Sequence, residues 1–127
     1  MNKERTKKAV LVVDDDPKHL KLVSLKLAEA GYRVINAQSG KDALESIKIE
    51  KPGLVLLDIM MPDMDGLETL KKIKAMDPDI PVAMVTAIWD NDEAKKVLEA
   101  GAYEYITKPF DMEHLKSAVL IKLFPGE

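Results

Sequence analysis

Several short apolar runs in this chain end in residues that can do chemistry. Ala9 to Val13 leads into Asp14-Asp15-Asp16, and Leu54 to Leu57 leads into Asp58. Val82 to Val85 ends at Thr86, and Tyr105-Ile106-Thr107 runs into Lys108-Pro109. Carboxylates brought together repel and raise one another's pKa values unless something positive intervenes. A hard divalent cation and a lysine are the groups that suit. Magnesium takes a few carboxylates, a carbonyl and several waters at about 2.0–2.1 Å. The rest of the set suits phosphoryl transfer. A carboxylate attacks phosphorus, metal and lysine neutralise the equatorial oxygens, and a hydroxyl hydrogen-bonds one of them. Taken singly the residues say less. Lys108 alone reads as a surface lysine, Thr86 as a strand terminus, and Asp14 and Asp15 equally well as solvated loop acids.

The elements that must position these residues alternate along the chain. AVLVV at 9–13 is a β-branched run, as expected of a strand buried on both faces. Asp16-Pro17 then starts a helix, with Asp at the cap and Pro in the first turn. Leu20, Val23, Leu27 and Ala28 repeat at helical spacing, and Gly31 closes it. Strands are expected over 33–37, 54–57, 82–85 and 105–107. Helices are expected over 39–49, from about 67 to 76, over 90–100, and from a cap at Asp111 to about 123. Five strands alternating with five helices give an α/β protein with a parallel sheet between two helical layers. In such sheets sites form at the carboxyl ends of the strands, where the acids, Thr86 and Lys108 stand.

Composition narrows the class. The chain has 127 residues, enough for one core, and 46% are apolar, which is globular rather than disordered. The net charge is −3 with both signs mixed, which argues against direct nucleic-acid binding by bulk charge. No cysteine is present, so disulfides and thiolate chemistry are excluded. The basic start is followed by an apolar run too short for a signal peptide or a membrane span. The expectation is a single domain over 1–127, with tails at 1–8 and 124–127, working in the cytoplasm away from the membrane.

The blocks VLVVDDDP, LVLLDIMMPDMDG, VAMVTA and YITKPF, in this order, closely resemble the signatures of response-regulator receiver domains. The resemblance covers about residues 9 to 123. It implies a flavodoxin-like (βα)5 three-layer sandwich with a five-stranded parallel sheet in the order 2-1-3-4-5. It implies that Asp58 is the phosphoacceptor, supplied by a sensor histidine kinase or a phosphotransfer protein. Asp15 would ligate magnesium, or manganese in its place. Asp14 would act mainly through a bound water, and the backbone carbonyl of Met60 would be a further ligand beside Asp58. Thr86 matches the hydroxyl that swings toward the phosphoryl group, Tyr105 the aromatic residue coupled to it, and Lys108 the lysine of the site. Pro62, Gly66, Ala87 and Pro109 would shape the surrounding loops. Such a domain catalyses only its own phosphorylation and dephosphorylation. It would signal to an output partner through the face formed by the fourth helix, fifth strand and fifth helix, and a phosphorylation-dependent dimer is compatible with that. The arginine that winged-helix transcription factors carry near position 118 is absent, since Ala118 stands there.

Two other classes compete. Asp14-Asp15-Asp16 contains the D-x-D of haloacid-dehalogenase-type phosphatases, with Asp14 as nucleophile and Asp16 as acid/base. Pro17-Lys18 opposes that, because the motif expects Thr or Val there, and the chain is short for a substrate-specifying cap. The third class is an interaction module that has lost phosphorylation, which the full acid, threonine and lysine set opposes. Asp16 otherwise reads as a cap, His19 and His114 as surface histidines, and Lys71, Lys72 and Lys74 as a solvated helix face. The methionines at 60, 61, 64 and 76 read as packing residues.

Overall fold

The computed structural model describes residues 8–59, 65–87, 89–108, 112–115, 117 and 120. The elements are β1 (Val10–Val13), α1 (Pro17–Glu29), β2 (Val34–Ala37), α2 (Gly40–Ile49) and β3 (Leu54–Asp58). There follow α3 (Gly66–Met76), β4 (Val82–Thr86), α4 (Asn91–Glu99), β5 (Glu104–Thr107) and α5 (Met112–Leu115). The five strands form one parallel sheet in the order β2-β1-β3-β4-β5, as expected. Apart from Lys8, the expected tails lie outside the described residues, as does the end of the last helix near 123.

Period-two alternation explains why the strands read as unbroken apolar runs. Leu11, Val13, Val55, Leu57, Val82 and Met84 pack with Ala43, Ile47, Leu70, Ile73, Ala94 and Val97 of α2, α3 and α4. Their neighbours Val10, Val12, Leu54, Leu56, Ala83 and Val85 pack with Leu20, Val23 and Leu27 of α1 and with Leu115 and Leu120. Both faces of the sheet are therefore covered, and each fully buried Leu or Val contributes about 1.5–3 kcal/mol.

Local chemistry sets the ends of the helices. The Asp16 side chain caps α1 by accepting from Lys18 N–H at 3.0 Å, with Pro17 in the first turn. Asp65 caps α3 through Glu68 N–H at 2.8 Å, so that helix begins at Gly66, one residue before the expected Leu67. Ser39 and Asp90 cap α2 and α4 in the same way. Gly31 and Gly101, with φ of 99° and 107°, turn the chain out of α1 and α4 in a conformation that side chains other than glycine rarely adopt. The fifth strand starts at Glu104 rather than Tyr105, because Tyr103 N–H already bonds Val82 carbonyl at 2.7 Å and draws the chain into the ladder.

Candidate functional site

Register brings the chemistry together. β1 lies beside β3 with Val13 opposite Leu57, so the residues that follow, Asp14 and Asp58, leave the sheet side by side. Asp14, Asp58 and Thr86 are buried, while Asp15 is exposed. One carboxylate oxygen from each of Asp14, Asp15 and Asp58 lies within 4.8 Å of the others. Lys108 enters from the end of β5, tied by its own N–H to the Thr86 carbonyl at 2.6 Å. Its ammonium stands 3.3 Å from Asp14 Oδ2 and 3.2 Å from Asp58 Oδ2.

The charges are mutually supported. Burial pulls the Lys108 ammonium toward neutrality, but the Asp58 and Asp14 carboxylates outweigh it and hold its pKa above the ordinary lysine value. Burial likewise pushes Asp14 up. The Asp16 N–H at 3.0 Å from Oδ1, the His19 ring and Lys108 outweigh it, and its carboxyl sits below the usual range. Three carboxylates facing one ammonium leave two negative charges, which one divalent cation would balance. The donor set of hard oxygens suits magnesium. Asp14, Asp15 and Asp58 would hold it and would let it supply charge neutralisation to a reacting phosphoryl group.

Thr86 ends β4 beside this cluster, with Ala87 exposed after it. Tyr105 is buried, its phenol donating to Glu93 Oε1 at 2.9 Å, and the Trp89 ring meets it edge-on at 4.7 Å and 77°. Burial and Glu93 raise the phenol's pKa, while the Thr86 hydroxyl pulls the other way. Gly66 sits directly under the end of β3, where a Cβ would lie 2.6 Å from Ile59 Cα and 2.9 Å from the Asp58 carbonyl oxygen. Its loop-shaping value is thus close backbone approach. Met60, Pro62 and Pro109 lie outside the described residues.

Two readings of single residues change. His19, expected as a surface histidine, has its side chain 27% exposed and its Nδ1 on Asp14 Oδ2. The available signal was its place three residues after the Asp16 cap, where side chains reach back toward the helix start. Lys74, expected on a solvated face, donates to the carbonyls of Ile80 at 2.6 Å and Pro78 at 3.2 Å and braces the turn after α3. The phosphatase reading loses its acid/base, because Asp16 is exposed and engaged as a helix cap.

Comparison with known proteins agrees with this geometry. Residues 10–120 match the model of the response regulator receiver domain. The chain belongs to the receiver domain family. Among curated relatives, the transcriptional regulatory protein ZraR of Klebsiella oxytoca is 45% identical over 107 residues, covering 84% of this chain and 24% of that protein. The alkaline phosphatase synthesis transcriptional regulatory protein PhoP of Bacillus subtilis is 40% identical, covering 88% of this chain and 47% of PhoP. The chain therefore spans a quarter to a half of the length of these relatives. A CheY-like receiver domain structure from Methanospirillum hungatei matches with TM-score 0.86 at 35% identity, covering 92% of this chain and 94% of that one. As a receiver domain of two-component response regulators, the chain is a phosphorylation-based signalling switch. Among the described residues no helix is long and apolar enough to cross a membrane.

Proposed function

We propose that Asp58 is the phosphoacceptor of this receiver and that Asp14, Asp15, Asp58 and the Met60 carbonyl hold magnesium, or manganese, for the transfer. The observation that carries the reading is the Lys108 ammonium placed between two buried carboxylates, 3.2 Å from Asp58 and 3.3 Å from Asp14. An Asp58 oxygen attacks the phosphorus of a phosphohistidine or a small acyl phosphate. The bond from phosphorus to the donor breaks, and Asp58 becomes an acyl phosphate. Lys108 then shifts its hydrogen bonds from carboxylate to phosphoryl oxygen, where charge-assisted bonds are shorter and stronger. A divalent cation held by Asp14, Asp15 and Asp58 would neutralise the remaining oxygens. Thr86, at the end of the neighbouring strand, donates its hydroxyl to one of them.

The donor would be a sensor histidine kinase or phosphotransfer protein in the cytoplasm. The output partner would read the face of α4, β5 and α5, since the loop after Thr86 leads directly into α4. A phosphorylation-dependent dimer through that face fits the same reading. The only reactions catalysed would be those of the domain's own phosphoryl group. Treatment with a small acyl phosphate and magnesium should add one phosphoryl group by intact mass, and Asp58→Asn should abolish it. Full labelling of that variant would remove Asp58 as the acceptor.

A further inference from the structure

Asp14 holds three donors at once. Its Oδ1 accepts from Asp16 N–H at 3.0 Å, while its Oδ2 accepts from both His19 Nδ1 and the Lys108 ammonium. Two donors therefore share one oxygen of a buried carboxylate, and they have different obligations. Lys108 also reaches Asp58 and, on the reading above, has to follow the phosphoryl group. His19 lies in the first turn of α1, one residue past the Lys18 N–H that the Asp16 cap engages.

Withdrawing Lys108 removes one of the two side-chain donors from Asp14 Oδ2, and a buried carboxylate left short of partners is costly. We propose that His19 is a positioning residue of the phosphorylation site, holding Asp14 Oδ2 so that Lys108 can leave it for the phosphoryl group. The inference rests on Asp58 phosphorylation, and it needs only a proton on Nδ1, which the neutral and the charged ring can both carry.

The test compares the wild-type chain with His19→Leu, which fills the space without a donor, and His19→Asn, whose amide can stand near the Nδ1 position. Phosphorylation by acetyl phosphate is followed by intact mass at saturating magnesium, and the magnesium half-saturation and urea midpoint are measured alongside. His19→Leu should slow the maximal rate by about tenfold, the scale of one hydrogen bond to a charged group. His19→Asn should recover most of it, with a urea midpoint for both close to wild type. A wild-type rate in His19→Leu overturns the proposal. So does a folded His19→Asn as slow as His19→Leu, because shape rather than donation would then be at work. Should His19→Leu fail to fold, imidazole nitrogen spectra of the metal-free wild type decide. A proton on Nδ1 supports the proposal, and the neutral tautomer protonated only at Nε2 overturns it. A wild-type chain that does not label at all overturns the phosphorylation reading itself and this inference with it, a result distinct from every variant outcome.

Discussion

Replacing Gly66 with alanine sets two effects of opposite sign against each other. In an ordinary helix the change gains about 1 kcal/mol of helix propensity. Here the new Cβ would stand 2.6 Å from Ile59 Cα, whereas ordinary contact begins near 3.4 Å, so the backbones must part by about 0.8 Å. The obstacle is main chain and cannot rotate aside. Overpacking of this kind costs about 1–3 kcal/mol, and the rigid neighbour puts this site toward the upper end. The first helical residue also gains less from propensity than an interior one. The net expectation is a loss of about 1–2 kcal/mol, or roughly 4–8 °C in a domain of this size. The strain falls where Asp58 leaves β3, because the Asp58 carbonyl oxygen is the next atom in the way, at 2.9 Å. Phosphorylation with acetyl phosphate should therefore slow as well. Thermal melts with and without magnesium, followed by labelling rates, make the comparison. A Gly66→Ala chain that melts at or above the wild-type temperature would show that the close approach is not a constraint.

Other outcomes follow from single contacts. Leu27→Ala, at a fully buried position, should cost about 2–5 kcal/mol in urea unfolding, whereas Leu25→Ala, at a half-exposed one, should stay within about 0.5 kcal/mol. Millimolar magnesium should raise the melting temperature, by about 1.4 kcal/mol of stability at ten times Kd, and Asp15→Ala should lose much of that response. The Tyr105 phenol ionises above the ordinary 10.0, raised by burial and by Glu93. A raised value favours the protonated folded form, so this stability is full below about pH 10 and is lost as pH rises through the folded value. Tyrosinate absorbance of wild type against Tyr105→Phe isolates that step, and Glu93→Gln should bring it to lower pH. An unchanged step in Glu93→Gln would mean that the carboxylate does not act on the phenol.

The fold was legible because a sheet covered on both faces writes itself as apolar runs and Asp16 marks the start of α1, while the Asp65 cap, set among loop-forming residues, moves the start of α3 one residue earlier than expected. The meeting of Asp14, Asp58 and Lys108 was legible through strand ends. Side chains whose partners are backbone atoms or lie outside the helix period were not. Lys74 pairs with two carbonyls of the following turn, which no side-chain pattern records. His19 pairs with an acid that precedes its own helix cap, so no i, i+3 or i, i+4 pairing marks the contact and only its place three residues after the Asp16 cap hints at it. The buried setting of Tyr105 depends on Glu93 from α4 and on Trp89 from the loop before it, a contact fixed only by tertiary packing.

Lys108 stands 94 residues from Asp14 and 50 from Asp58 along the chain, so its two contacts stitch the beginning, middle and end of the sequence into one knot. Large loops must close before any of this charge pairing exists, and their entropy is spent only once the sheet is assembled. The site therefore has no partly folded version. A ligand that bridges these groups is worth its full binding energy against global unfolding and nothing to a fragment lacking β5. Amide exchange should show this directly. Magnesium or a phosphoryl group should slow exchange in β1 and in the edge strand β5 together, although β3 and β4 lie between them.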